Sequence, residues 1–232
     1  MSAKKVAVLI PSRGETKVEF VGALAQFLIR TTSQLGPDDS LGILIGENSY
    51  IHRNRNDLLA GALLDGATHL LWLDDDMTFP SDALWRLMKH DVAMVGVNYP
   101  KKDVAAEPTA ILHTGVKSGQ RIPELLYTEP EDTGLASVDA VGFGLVLMKA
   151  EVPLALKGPC FENYFDALND RWVGEDVDFC NKVKAAGFNI YVDHDLSKDV
   201  THVGKFAYTC DHMAAMHGLA VEQRKAMIEH GA

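Results

Sequence analysis

Apolar and polar residues fall into alternating blocks along the first hundred positions. Val6-Ala7-Val8-Leu9-Ile10 is a continuous apolar run broken by Pro11, the pattern of a strand buried on both faces. Val18, Val21, Leu24, Ala25 and Leu28 then recur at helical spacing and predict an amphipathic helix. Leu41 to Ile45 reads as a second buried strand, stopped by Gly46. Leu58, Leu59, Ala62 and Leu63 form a helical stripe that Gly66 ends. Leu70-Leu71-Trp72-Leu73 is a third strand, with Trp72 packed in the core, and it runs straight into Asp74-Asp75-Asp76. Ser81 is placed to cap a helix reaching Lys89, and Val92 to Val97 supplies a fourth strand.

Strand and helix thus alternate four times, which predicts a parallel sheet covered by helices with a ligand crevice at the carboxyl ends of its strands. The later half is less regular. Residues 101–136 hold scattered Pro and Gly and read as long loops of the kind that serve as lids. Val138 to Met148 is another apolar strand region, containing Gly142 and Gly144. A helix is expected from about Glu175 to Ala186, stopped by Gly187, then a short strand from Asn189 to Val192 and a last helix from about Asp211 to His230. No repeat or linker divides the chain. The expectation is one domain over 1–232, with residues up to about 98 forming one half and the rest the other.

Composition narrows the class. With 47% hydrophobic and 23% charged residues the chain is an ordinary globular protein rather than a disordered one. Its formal charge is 22 − 32 = −10, against a broadly basic surface that coats nucleic acid. Cys160, Cys180 and Cys210 are odd in number and widely spaced, so reduced thiols and a cytoplasmic location are expected. No apolar stretch approaches the roughly 20 residues of a membrane helix.

The chemistry concentrates at the three adjacent aspartates. Like charges this close repel unless a cation compensates, and a hard divalent ion, Mg²⁺ or Mn²⁺, suits oxygen ligands. In an extended chain alternate residues share a face, so Asp74 and Asp76 are expected to point into one pocket and Asp75 away. Farther on, Asp176, Phe179, Cys180 and Val183 fall at i, i+3, i+4 and i+7, which puts Asp176 on the inward stripe of its helix. Glu175 aligns instead with Asp178 and Lys182 on a more polar face. A carboxylate in the first helical turn suits the helix dipole, and an inward one is a candidate general base. Arg13, Arg53, Arg55, Lys101 and Lys102 are candidates to meet phosphate charge, Arg13 and Arg55 foremost. Asp74-x-Asp76-x-Thr78 also fits the signature of haloacid-dehalogenase-type phosphatases, but there the motif follows the first strand and here the third. A non-catalytic sugar-nucleotide or glycan-binding module is a third reading.

Five segments in order resemble the family 2 glycosyltransferases of GT-A fold, and the small transferases often encoded by tailed bacteriophages. Pro11-Ser12-Arg13-Gly14-Glu15 is similar to the first-strand motif lining the nucleotide pocket, and Arg55-Asn56 to a helix start facing the donor, with Asn54 in place of an alanine. Leu70 to Asp76 matches the strand with Asp-x-Asp. Gly174-Glu175-Asp176 through Ala186-Gly187-Phe188 resembles the acceptor-side helix, and Thr201-His202-Val203-Gly204 falls where members carry a metal-binding histidine. Two segments depart from the pattern. Gly46-Glu47-Asn48-Ser49 stands where the family has Asp-Asp-x-Ser, and the stretch from Asn56 to Asp74 is a few residues longer.

The resemblance implies an α/β fold of GT-A type: a Rossmann-like, mixed, mostly parallel sheet flanked by helices, with a donor half followed by an acceptor half. It implies transfer of a sugar from a nucleotide-diphosphate sugar, a UDP-sugar foremost, with inversion. The residues it assigns are Pro11, Ser12, Arg13, Glu15, Arg55, Asn56, Asp74 and Asp75 to the donor, and Asp76, Asp74 and His202 to Mn²⁺ or Mg²⁺. Asp176 with Glu175 is assigned to catalysis and Gly174 to the acceptor; Trp172, just before that helix, is placed to stack on a sugar or base and is counted with the acceptor residues. The acceptor is left open among a glycan, a small molecule and a modified DNA base, as is an oligomer. A phage-encoded transferase would work in the host cytoplasm.

Overall fold

The computed structural model describes residues 3–103, 105–117, 120–204 and 207–229. The first part runs β1 (Lys5–Ser12), α1 (Val18–Gln34), β2 (Ser40–Glu47), α2 (Ile51–Leu64), β3 (His69–Leu73), β4 (Met77–Thr78), α3 (Ala83–Met88) and β5 (Met94–Gly96). The hairpin of β6 (Ile111–Lys117) and β7 (Gln120–Leu125) follows, then β8 (Leu135–Val138), β9 (Leu145–Lys149) and α4 (Glu151–Leu154). A second hairpin, β10 (Tyr164–Asp166) and β11 (Arg171–Val173), leads into α5 (Glu175–Ala185), β12 (Ile190–Asp193) and α6 (His194–Ser197). The chain ends in β13 (Thr201–Val203), β14 (Ala207–Tyr208) and α7 (Cys210–Glu229).

Seven strands form one sheet in the order β2-β1-β3-β9-β5-β12-β8. β1, β2 and β3 pair in parallel, as do β5 and β12, whereas β9 is antiparallel to both its neighbours and β8 is antiparallel to β12. This is the mixed, mostly parallel sheet that the resemblance implied. Alternation along each strand builds two core layers. Ala7, Leu9, Leu70, Trp72 and Val146 face α2 and α5, meeting Leu58, Leu59, Phe179 and Val183. Val8, Ile10, Leu71, Leu73 and Leu147 face α1 and α3, meeting Phe20, Phe27, Leu84 and Leu87. The apolar runs of β1 and β3 are continuous because both faces are covered.

Several expectations are corrected. β2 is an edge strand with only β1 beside it, and Ile45 is 67% exposed, so its apolar run does not mark a strand buried on both faces. The inward stripe of α1 is Phe20, Phe27 and Thr31 rather than one through Val18, which is 78% exposed; Leu24 and Leu28 pack at its border. Ser81 does not cap α3, where Asp82 holds the N-terminal position without a side-chain bond; the Ser81 hydroxyl accepts from Arg30 instead. Residues 101–136 contain the β6–β7 hairpin and the start of β8. The region 138–148 is two strands far apart in the sheet, because Gly142 and Gly144 lie in the connection, where they pack on Tyr99.

The cleft end of the sheet is tied by Asn54, whose amide donates to the carbonyls of Ser12 (3.1 Å) and Gly46 (2.9 Å), joining the ends of β1 and β2 to α2. A Cβ on Gly46 would collide with Asn54 Oδ1. Gly46→Ala should therefore lose stability by about 1–3 kcal/mol as buried bonds are forced apart. Gly22→Ala, on the open side of α1 where an added Cβ meets nothing within 4 Å, should gain about 0.5–1 kcal/mol. Urea denaturation of the pair checks both signs.

Candidate active site

The carboxyl ends of β1 and β3 open onto a cavity of about 480 Å³. The β1 end supplies Pro11, Arg13 and Glu15, α2 supplies Ile51 and Arg55, and the β3 end supplies Asp74, Asp75 and Asp76. The N-terminus of α5 adds Glu175 and Asp176, and β13 adds His202; Tyr99 and Phe143 complete the wall. Carboxylates outnumber cations around this space.

Arg55 is the charge in the wall. It is 4% exposed, with Nη2 2.9 Å from Asp74 Oδ1 and Nε 3.5 Å from Glu175 Oε1. The rings of Phe143, Trp72 and Phe161 lie 5.1, 5.7 and 6.0 Å from its guanidinium carbon, within cation–π range. Burial works against the cation, but Asp74, Glu175 and Asp176 outweigh it and raise its pKa. Arg55 thus holds carboxylates through Nη2 and Nε, while its Nη1 is buried without a hydrogen-bond partner. Asp74 in turn is paired with Arg55 through Oδ1 and lines the cavity beside Asp76.

The three aspartates do not alternate. The chain leaves the extended conformation after Leu73, the peptide N–H of Asp74 donates to Gly144 O (3.0 Å), and Asp75 lines the cavity with its neighbours. Burial pushes the Asp75 pKa up, against the hydrogen bond from Ser12; its backbone carbonyl accepts from Lys17 N at 3.1 Å, pinning the loop before α1. Ser12 therefore acts behind the wall, through Asp75.

Asp76 lies beside β13, where Val203 N donates to its carbonyl (2.7 Å) and His202 is in register with Met77. His202 Nδ1 is 2.9 Å from Pro100 O, and a carbonyl only accepts, so Nδ1 carries the proton. In the neutral ring Nε2 then turns a lone pair toward Asp76 Oδ1, 3.4 Å away, which is buried with no hydrogen-bond partner. With the ring neutral, two acceptors face each other, a gap that a cation fills; with it protonated, Nε2 itself brings the positive charge to Asp76. Lys102 pairs with the other oxygen. Burial raises the Asp76 pKa, but His202 and Lys102 overcome it and leave it below the usual carboxylate value. Asp76 and His202 therefore fit a divalent ion as a two-ligand site with a backbone-oriented histidine. Among the described residues no group of three or more His, Cys, Asp or Glu is arranged to hold a metal.

On α5, Phe179, Cys180 and Val183 are fully buried and Asp176 reaches the cavity on their side. Glu175 reaches it too, through Arg55, which corrects its assignment to an outward polar face; Asp178 and Lys182 pair with each other at 2.7 Å. Burial and then Glu175 push the Asp176 pKa up, against Val177 N–H and Arg55. Gly174 starts the helix, and a Cβ there would lie 3.0 Å from Asp176 Oδ1, so this glycine makes room for that carboxylate. It does not line the cavity. Nor does Asn56, whose amide bonds His52 O and Phe161 O and accepts from Cys160 N and Phe161 N, stitching α2 to that loop. Trp172 is 74% exposed on the β10–β11 hairpin opposite Phe165, ring centroids 5.6 Å apart, beside the cavity rather than in it.

Tyr99 was not anticipated. Its hydroxyl accepts from Gly144 N at 2.9 Å, and a Cβ on Gly142 or Gly144 would lie within 3 Å of its ring or hydroxyl. The Gly-x-Gly spacing was the available signal of such a close approach. Burial, Asp74 and Asp176 hold its pKa well above the ordinary 10, so it remains a phenol.

No protein-family model matches the sequence, and no curated protein matches it. Solved structures do match. A197 from STIV superposes with a TM-score of 0.57 at 18% identity, covering 90% of this chain and 91% of that one, which shows a shared fold. The catalytic domain of Drosophila β1,4-galactosyltransferase 7 with xylobiose matches at TM-score 0.43 and 19% identity, covering 82% of this chain and 65% of that chain, under two thirds of its length. A mutant of the same enzyme with manganese, UDP-Gal and xylobiose matches at 0.45 and 17%, over 89% and 71%. At those scores neither galactosyltransferase structure carries an argument about this chain.

The partly buried Asp176 gives a stability test. Its folded pKa lies above the unfolded value, so its contribution is complete at acid pH and is lost as pH rises through the folded pKa. Asp176→Asn has no such loss. Its melting temperature should gain on the wild type as pH rises from acid toward neutral and then level off. A difference that stays flat across that range contradicts the raised pKa.

Proposed function

We propose that this chain is a divalent-metal-dependent glycosyltransferase, transferring a sugar from a nucleoside-diphosphate donor, a UDP-sugar foremost, to an acceptor hydroxyl with inversion. The observation that carries this reading is the pairing, around one cavity at the strand ends, of a cation-fitting Asp76–His202 couple with the partly buried Asp176 whose pKa is raised. Pro11, Arg13, Glu15 and Asp75 would border the nucleotide, with Asp74, oriented by Arg55, near its ribose. Asp76 and His202 would hold Mn²⁺ or Mg²⁺, which neutralises the departing diphosphate as a Lewis acid. Asp176 takes the proton of the acceptor hydroxyl as that oxygen attacks the anomeric carbon, and the bond to the diphosphate breaks with its electron pair. A raised pKa suits that work, since a base near operating pH is most effective. Arg55 fixes Asp74 and Glu175 and limits repulsion among the carboxylates.

A phosphatase nucleophile at Asp74 would have to leave its ion pair with Arg55, and Thr78 lies opposite Thr201 on β4 rather than at the cavity. The excess of carboxylates supports a neutral acceptor, a glycan or small molecule, over DNA. The exposed Trp172 just before α5 supports stacking of an acceptor ring.

Two measurements test this. Uridine diphosphate should bind tightly only with Mn²⁺ or Mg²⁺ present, and Asp76→Asn should remove the metal dependence; metal-independent binding unchanged in that variant would sink the assignment. Asp176→Asn should keep donor binding while turnover falls by roughly 10²–10⁴, and the product should carry inverted anomeric configuration. Retention would take the base role from Asp176.

A further inference from the structure

The cation that Asp76 holds in this structure is Lys102. Its ammonium pairs with Oδ2, while Oδ1 faces the His202 ring without a hydrogen-bond donor. Lys102 reaches this oxygen by crossing Gly204, where an added Cβ would lie 2.8 Å from Lys102 Cδ and 2.9 Å from Tyr208 Cε2. Space for the lysine stem is therefore what this glycine supplies. The adjacent Lys101 is anchored elsewhere: Nζ lies 3.1 Å from Glu107 Oε2, and its N–H donates to Glu107 O at 2.8 Å. One lysine fixes the loop and the next is handed to the cavity.

A lysine ammonium is a compact, strongly hydrated charge on a flexible stem. It sits on the carboxylate that the proposed function gives to a divalent ion, and the two cations repel. We propose that Lys102 is a built-in counter-cation for Asp76, displaced when a divalent ion binds and then turned to the diphosphate that arrives with it. The device relieves a crowded set of carboxylates in the empty enzyme and sets the metal affinity low, so that ion and donor bind best together. It rests on the reading of Asp76 as a metal ligand.

The two ideas separate in titration calorimetry of the full chain with Mn²⁺ alone. Lys102→Met should bind Mn²⁺ about fivefold more tightly than the wild type, the worth of one partly exposed ion pair, and Lys102→Arg should stay close to the wild type. Gly204→Ala, which pushes the stem aside but keeps the charge, should also tighten Mn²⁺. At saturating Mn²⁺ the order reverses, and Lys102→Met should bind uridine diphosphate several-fold more weakly. A merely structural lysine would weaken both. Equal Mn²⁺ affinity in wild type and Lys102→Met, with both melting cooperatively, overturns the counter-cation role alone. Failure of every variant and the wild type to bind Mn²⁺ overturns the metal reading and this inference with it.

Discussion

The site is organised around a single buried guanidinium. Arg55 comes from α2, yet it touches Asp74 at the end of β3, Glu175 at the start of α5 and the ring of Phe143 ahead of β9. A charge buried this deeply is costly unless paired, and its partners arrive from separate parts of the chain, with only Nη2 making a hydrogen bond. Packing and electrostatics thus solve one problem together. The aromatic cluster of Trp72, Phe143, Phe161 and Phe179 that fills this side of the core also offers Arg55 its π faces. The separation of Asp74 at the end of β3 from Glu175 at the start of α5 is bridged by the span of one side chain.

Around that centre, three adjacent carboxylates have three different counterparts. Asp74 has Arg55, Asp75 has the Ser12 hydroxyl, and Asp76 has Lys102 and His202. Neighbours in sequence therefore acquire unlike chemistry: Asp75 is driven toward its neutral form and Asp76 toward its ion. Asp176, across the cavity, is pushed the same way as Asp75. Such separation by environment lets one pocket hold carboxyl groups with different affinities for a proton.

Much of this was legible in the sequence, and the misses have physical causes. The strand–helix alternation, the strand-end aspartates and the inward stripe of α5 all follow from local periodicity, which a helix or strand obeys wherever it sits. Asp75 was misplaced because alternation holds only while the chain stays extended, and it turns after Leu73. Glu175 was misplaced because a residue in a helix's first turn faces whatever lies before the helix, here Arg55. The edge position of β2 depends on strand order, which an apolar run does not encode. Tyr99 is held by glycines more than 40 residues away. Asn54 and Asn56 look alike in sequence and do different work: one ties two strand ends, the other stitches a distant loop.

The reversed strand β9 also governs how the molecule comes into being. It lies between β3 and β5, so those two strands, though only some twenty residues apart in the chain, have no direct ladder between them. Until residues 145–149 arrive, the sheet stops at β3 and the carbonyls and amides along that margin stay unpaired. A nascent chain ending near residue 98 would therefore carry an open, apolar strand edge of the kind that invites association with other chains. Closure waits for a segment that follows the Tyr99-packed glycines, so sheet completion and assembly of the cavity wall belong to the same late, long-range event, a slow step by its loop length. The two halves of the chain on either side of residue 98 are thus one unit of folding.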